Sequence, residues 1–554
     1  MKKLTSIAAA CALALSLTAG IASPAAAAAY TDIPSSSALS GEVQKAVAYG
    51  LMNGYNHTRF GYADSMTRAQ FTAVLTRMMG WSPSVPDTPT YQDVPADHPW
   101  YSALETAAAH GVTDGQVGSG LSFRPNEPIT RADMSKLLVQ ALGLESAAQL
   151  LNSDQPDDSA LTPFTDLPAD RKGYITVAYD IGMTKGLTST TFGPDQTATR
   201  AQAAAMLVRI YEKMEQTTDF LHGFYAISSY SQLDLAKKMD AVSVGWSRLT
   251  WDGETALLAT TSENQNEFCI PVGYQEVVEA LHQNGVRLHL NVYMDVDGGA
   301  AAWLMSPSGR QQAIDQIVQE LTVSFRAWGS NPYDGVTLDI EGLRNAQKAD
   351  YTAFLRDLSA AVHGLGKTID VCVAPKLIRG PYYDGYDYSA IGQLADHVIL
   401  MAYNYDARTM KQFLGTDYQK TAATAPLDQV YYAIRTAVKQ IAPSKLVLGY
   451  SVKHTAWEID ASGKLLSAVP YHPDTETVSR RLAQADTEHG WSQTYQQSYA
   501  IYRDEAGKRY FLWYQDGASV DTAMQTARLL GVTGVSIWRL GEIPVRSWSS
   551  ILAP

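Results

Sequence analysis

The tripeptide Thr-Arg-Ala occurs at Thr67, Thr130 and Thr199, at spacings of 63 and 69 residues, and each copy opens a segment with apolar residues at helical period: MTRAQFTAVLTRMMG, ITRADMSKLLVQALG and ATRAQAAAMLVRIYE. Such self-similarity restricts the first part of the chain to stacked copies of one small unit, none of which buries its apolar face alone. The threonine is a natural helix N-cap, and the Gln or Asp three positions on closes a capping box where it reaches back. Each unit also begins aromatic-x-Asp-aliphatic, as YTDI from Tyr30, YQDV from Tyr91 and FTDL from Phe164. Between these ends lie an alanine-rich helical stretch (SALETAAAHGV) and a glycine turn with a short extended piece (SGLSFRPNEP). The predicted modules are 29–84, 88–146 and 160–216.

After Met214 the pattern changes to apolar runs at 221–228, 241–251, 287–295, 335–341, 368–376, 397–406, 445–453 and 534–541, most of them separated by helical segments. Eight such units predict a (β/α)8 barrel over 220–554. A doubly wound sheet is the rival, disfavoured because no glycine-rich phosphate loop follows the first run. The long interval 454–533 predicts an inserted α+β piece that walls a cleft. The fold class is therefore multidomain, an α-rich bundle of three modules followed by a barrel.

At 554 residues the chain exceeds what one core supports. Its net charge of −13 argues against general attraction to nucleic acid or anionic lipid. The start, MKKLTSIAAACALALSLTAGIASPAAAAAY, has a basic tip, an apolar stretch and small residues, so 1–28 reads as an export signal cleaved near 26–29. Beyond it no apolar run reaches the roughly 18 residues of a membrane span. The mature protein is expected to be soluble or wall-attached. Only Cys269 and Cys372 survive cleavage, too few for a disulfide framework.

The run YDGVTLDIEGLR, residues 333–344, carries two carboxylates in an otherwise buried-looking strand. Strand alternation places Val336, Leu338 and Ile340 on one face and Thr337, Asp339 and Glu341 on the other. The second face points into a barrel, with Asp339 and Glu341 about 7 Å apart along the backbone, at the C-terminal rim where barrel enzymes place their chemistry. Two desolvated like charges raise at least one pKa, leaving a proton donor near neutral pH, as glycoside cleavage requires. The plain alternative is a pair of structural carboxylates bonded to amides or an arginine. Trp246, Trp251, Tyr293, Tyr405 and Trp513 near strand ends are sugar-stacking candidates, each individually more at home in a core. Arg248 and Arg539 serve polar ligands or structural acids, and the sequence does not choose.

The three repeats resemble S-layer homology modules. That resemblance implies a pseudo-threefold helical bundle that binds a secondary cell-wall polysaccharide through Arg68, Arg131 and Arg200 with Asp32, Asp93 and Asp166. Arginine's planar fork suits anionic sugar substituents; the plain alternative is that these arginines bond helix ends. The first module departs most, with PSSSALSGE where an aromatic is expected.

The barrel resembles glycoside hydrolase family 18. DGVTLDIE keeps Asp334 and Asp339 ahead of Glu341, with Thr337 in place of the family's middle aspartate. MAYN from Met401 keeps Tyr403 and puts Asn404 where the family has an acid, and GVSIWRLG supplies Trp538. YAIYRDEAGKRYFLWYQDGASV is similar to the insertion of the spore-cortex and peptidoglycan-lytic branch. The resemblance implies a retaining, substrate-assisted mechanism without metal or cofactor. Glu341 is the acid, Asp339 orients the substrate acetamido group, Tyr403 hydrogen-bonds its oxygen and Trp538 stacks beneath the sugar, with Asn404, Thr337, Asp334 and Met401 as further expected substrate contacts; Trp246 joins them only as an aromatic near a strand end. Thr337 removes a charge that partitions protons within the pair, which slows turnover or lowers the pH optimum; Asn404 keeps hydrogen bonding without charge.

The leading expectation is an exported, wall-tethered glycosidase acting on β-linked N-acetylglucosamine polymers, peptidoglycan strands ahead of chitin. The alternative is a catalytically silent barrel that binds wall glycan in a surface layer.

Overall fold

The computed structural model describes residues 30–112, 122–152, 162–263, 266–295, 299–325, 329–378, 383–545 and 548–552. The expected export signal, 1–28, lies outside the described residues. Among the described residues seven helices form the N-terminal part: α1 (Ser40–Ala48), α2 (Arg68–Met78), α3 (Tyr101–Ala109), α4 (Arg131–Ala141), α5 (Glu145–Asn152), α6 (Lys172–Asp180) and α7 (Arg200–Met214).

Helices α2, α4 and α7 start at the Thr-Arg-Ala motifs, each capped by its threonine hydroxyl. The capping box closes in α2 and α7 through Gln70 and Gln202. In α4 the equivalent Asp133 instead accepts from Arg68 at 2.9 Å.

The arginines join the modules in a ring. Arg68 donates Nε–H to the Phe123 carbonyl, Arg131 to Phe192 and Arg200 to Phe60, at 2.9, 3.0 and 3.0 Å. Each guanidinium lies over the ring of that phenylalanine, 4.8–5.1 Å from its centroid. The accepting loops are held within their own modules by the aspartates: Asp32 accepts N–H from Phe60, Gly61 and Tyr62, Asp93 from Phe123 and Arg124, and Asp166 from Phe192 and Gly193. Burial pushes these carboxyls up, but the amide donors, joined at Asp93 by the Ser122 hydroxyl, outweigh it and hold all three low. The six residues expected to hold a wall polymer thus have an architectural task. Arg68, Arg131 and Arg200 are all buried in it, and Arg200 also borders a cleft of about 190 Å³ with Tyr55, Arg77 and Trp100.

The C-terminal part contains β1 (Phe220–Tyr225), β2 (Ala241–Trp251), β3 (Ala256–Ala259), β4 (Arg287–Met294), β5 (Gly335–Ile340), β6 (Thr368–Val373), β7 (His397–Leu400), β8 (Leu446–Ser451), β9 (Thr455–Ile459), β10 (Glu488–Ser492), β11 (Gln497–Arg503), β12 (Arg509–Tyr514) and β13 (Gly534–Trp538). Strand order β1-β13-β8-β7-β6-β5-β4-β2, with β1 also parallel to β2, closes eight parallel strands into a barrel and excludes the open doubly wound sheet. Strand β3 forms a hairpin on β2. The insertion is the antiparallel sheet β10-β11-β12-β9 with helix Thr475–Leu482. It is shorter than the expected 454–533, because helix Gly517–Leu529 rejoins the barrel layer beside helix Leu427–Ala437 and leads into β13.

Bundle and barrel are docked. Asp180, at the end of α6, receives the Arg435 guanidinium and, at 2.7 Å, the Tyr431 hydroxyl, both from helix Leu427–Ala437; the Arg435 side chain is 1% exposed. Lys213 of α7 donates to the carbonyls of Ile181 and Leu529 at 2.7 Å each, so one ammonium satisfies the C-terminal ends of two helices, one from each domain.

Replacing Asp180 by Ala removes the carboxylate that faces the buried Arg435 charge, a change that costs about 3–5 kcal/mol. The expected outcome is separate thermal transitions for bundle and barrel, and faster proteolysis between α7 and β1, in Asp180→Ala where the parent unfolds as one unit.

Candidate active site

The sequence around β5 folds as its alternation requires, with Val336, Leu338 and Ile340 packed in the outer core and Thr337 and Asp339 inside the barrel. The strand's end is pinned by the Glu341 N–H to the Met294 carbonyl (2.8 Å) and by the Tyr386 hydroxyl to the Ile340 carbonyl (2.7 Å). Glu341 therefore stands at the C-terminal rim, on the wall of a cleft of about 590 Å³. Tyr403, Asn404, Met401 and Tyr386 share that cleft, and Val469, Pro470 and His472 bring the insertion to its edge.

Asp339 sits just below, 3% exposed. The thiol of Cys372 bonds its carboxyl, while its Oδ1 has no hydrogen-bond partner among the described residues. A buried acceptor left open costs about 1–3 kcal/mol until a donor reaches it. Burial, then the charge of Glu341, pushes the Asp339 pKa well up. Glu341 is also raised, by burial and then by Asp295, with Arg408 pulling the other way. The pair thus retains protons to higher pH than ordinary carboxyls. Tyr403 is desolvated beside both, its phenol raised by burial and then by Asp339. Its ring lies against Gly449 of β8, where a Cβ would come within 2.8 Å of it, so glycine is required there.

Asp295, at the end of β4, accepts from the Tyr293 hydroxyl (2.9 Å) and faces Arg248 at 3.5 Å. Tyr293 stacks on Phe268 at 5.1 Å, and Arg248 lies over both rings. Arg248 thus serves a structural acid, and Arg539 likewise pairs with Glu542. On the opposite wall Lys453 pairs with Asp406 at 3.2 Å, and Thr455 donates to the same carboxylate.

Glu341, Tyr403, Asn404 and Met401 come together in the cleft, with Asp339 beneath them. Trp538 is half-buried, packed on Phe224 at 5.1 Å in the apolar cluster that includes Met401. Three expected substrate contacts are elsewhere. Trp246 is fully buried on the outer face of β2 against Tyr274, because Ser243 and Ser247 take the inward positions. Asp334 precedes β5 and accepts the Leu288 N–H at the barrel's far end, about 20 Å from the rim by strand rise. Thr337 lies one layer below Asp339 with no exposed surface.

Thr337 belongs to an internal network. Its hydroxyl meets Ser243 at 2.6 Å and His289 at 3.2 Å; Ser243 meets His222, which meets Ser536. Burial pushes the His222 pKa down to about 3. A carboxylate does occupy this layer, but from the next strand: Asp370, paired with Thr337 across β5 and β6, contacts His289 at 3.3 Å and His397 at 3.0 Å. Burial opposes its charge, yet the two histidines hold its carboxyl far below the usual range.

Sequence reasoning missed Cys372, Asp295, Tyr386, Arg408 and Lys453. Asp295 closes an apolar strand run much as Glu341 does, and that signal was available. Cys372 required knowledge of sheet register, and Arg408 required the fold of a loop. No group of three or more potential metal-ligating side chains occurs among the described residues.

A family model described as Glycosyl hydrolases family 18 matches residues 199–542, and the S-layer homology domain model matches 29–72, 90–135 and 163–204. The cortical fragment-lytic enzyme of Bacillus subtilis (strain 168) is 25% identical over 236 residues, 42% of this chain and 52% of that protein. An endoglucanase of Bacillus sp. (strain KSM-635) is 30% identical over 186 residues, 33% of this chain and 18% of that protein. Among solved structures, the Bacillus cereus spore cortex-lytic enzyme SleL aligns with TM-score 0.48 at 17% identity, covering 61% of this chain and 74% of that one. The chain spans about half the length of the cortical fragment-lytic enzyme.

Asp339 and Glu341 have folded-state pKa values above their unfolded ones, so they stabilise the fold in acid and lose that contribution as pH rises through the raised values. Denaturant unfolding between about pH 4 and pH 8 is therefore expected to show Asp339→Asn more stable than the parent by at least about 1 kcal/mol at the neutral end, with the gap narrowing in acid. Restoring an acid at the middle position, Thr337→Asp, forces a second carboxylate beside Asp370 in a layer without solvent. Unfolding is expected to show a loss of about 3 kcal/mol or more.

Proposed function

The chain belongs to the glycosyl hydrolases of family 18, and from that premise we propose that it is a wall-tethered glycosidase cleaving β-linked N-acetylglucosamine-containing glycan, peptidoglycan strands ahead of chitin. Glu341 protonates the glycosidic oxygen. The substrate's own 2-acetamido carbonyl attacks the anomeric carbon, so the sugar supplies the nucleophile. Asp339 accepts the acetamido N–H on its open Oδ1 and balances the cyclic cation that forms. Tyr403 donates to the acetamido oxygen, and Trp538 lies under the ring. Water then opens the cation with Glu341 as base, giving net retention.

The observation that carries this reading is the Glu341 carboxyl on the cleft wall, its proton retained by burial and Asp295, directly above a buried carboxyl with one unfilled oxygen. The name of the cortical fragment-lytic relative favours peptidoglycan. The three S-layer homology domains support export and attachment to a secondary cell-wall polysaccharide, for which the cleft bordered by Arg200, Arg77 and Trp100 is our proposed site. Attachment would hold the barrel at high effective concentration beside its glycan.

Incubating purified protein with glycan strands and with chitin oligomers is expected to release new reducing ends. Glu341→Gln is expected to lower the rate by about 10²–10⁴-fold at unchanged fold. Tight binding with no release by the unmutated protein would instead support the silent, glycan-binding barrel that Thr337 and Asn404 suggest.

A further inference from the structure

Arg408 stands in the active cleft within electrostatic reach of Glu341, exposed, and forms no hydrogen bond or ion pair among the described residues. Its position is nonetheless fixed. Two residues before it, Asp406 is tied to Lys453 and Thr455; two residues after it, the Met410 N–H bonds the Ala468 carbonyl at 2.7 Å. That second tie seats the Arg408 loop against the insertion segment that contributes Val469 and Pro470 to the same cleft, and Val469 is 65% exposed. The neighbouring cation is already satisfied, since Lys453 is paired with Asp406. The cleft therefore offers an uncommitted guanidinium fork next to a small apolar shelf.

We propose that Arg408 binds a carboxylate carried by the substrate, specifically the free lactyl ether carboxylate of a muramic acid residue next to the cleaved bond. This deepens the hydrolytic reading above and rests on it. A lactyl ether presents a methyl group and a carboxylate on one short stem, which matches the shelf of Val469 and Pro470 beside the fork of Arg408. An oligomer of N-acetylglucosamine alone has no anion for Arg408. In a peptide-bearing strand the lactyl carboxyl is consumed in an amide. The chemistry thus places an amide hydrolysis, which strips the peptide, before this cleavage.

Binding is measured by calorimetry at low salt in the Glu341→Gln background, with three length-matched probes: peptide-free muramic strands, peptide-bearing strands and chitin oligomers. Peptide-free strands are expected to bind at least about tenfold tighter than chitin oligomers, the order of one charge-assisted hydrogen bond. The preference is expected to vanish in Glu341→Gln/Arg408→Gln and to return in part with Arg408→Lys. Equal affinity for the two glycans, or a preference that survives loss of Arg408, overturns the proposal. Peptide-bearing strands that bind as tightly as stripped ones overturn the lactyl assignment in favour of a peptide carboxylate. Release of reducing ends by the unmutated protein is scored separately, so a failure of hydrolysis is told apart from a failure of this subsite.

Discussion

Closing eight parallel strands into a ring removes solvent from the inward side chains below the rim, and most of this barrel's chemistry follows from that constraint. In the middle layer most polar side chains find a partner: His222 joins two serines, Thr337 joins Ser243 to His289, and Asp370 takes two histidines, while Asn291 opposite Thr337 keeps its Oδ1 open. One layer higher lie the two carboxylates of the site. Asp339 keeps an open oxygen and Glu341 meets the cleft, with their acidity weakened by the same lack of water. The site is the place where the internal network of polar side chains gives way to carboxylates that face a cleft.

The N-terminal ring obeys a related economy. Each motif helix begins by donating its early N–H groups to the loop of another module: Arg68 to Glu127, Arg131 to Gln196 and Arg200 to Asp64. The orphan donors of three helix starts are thereby spent on assembly. The arginine side chain adds a second bond and a ring contact at each joint, and the aspartate of the receiving module stiffens the loop that accepts them.

All eight barrel strands could be read from the sequence, because runs buried on both faces are apolar, short and bounded by turn residues. The paired carboxylates were legible for the same reason: Asp339 and Glu341 interrupt such a run. Parity along a strand was available as well, and Trp246 shows the cost of neglecting it, since it shares a face with Val242 and Val244 in the outer core. Direction along the strand separates Asp334 from Glu341 equally well. What was hidden is lateral. That Cys372 would bond Asp339, or that Asp370 would carry the charge of the layer around Thr337, depends on the stagger between β5 and β6, which no local pattern encodes. Arg408 and Lys453 lie in loops whose course is set by pairing with a distant insertion.

The joint made by Asp180, Arg435, Tyr431 and Lys213 has a geometric consequence. On the proposed wall attachment, a barrel on a slack tether would sweep a sphere around its attachment point, whereas a barrel bolted to its anchor would address only strands that pass at one height and one bearing. With the modules held in that proposed way, the mouth of the cleft would be aimed, and the layout of the surrounding mesh would decide which bonds come within its range.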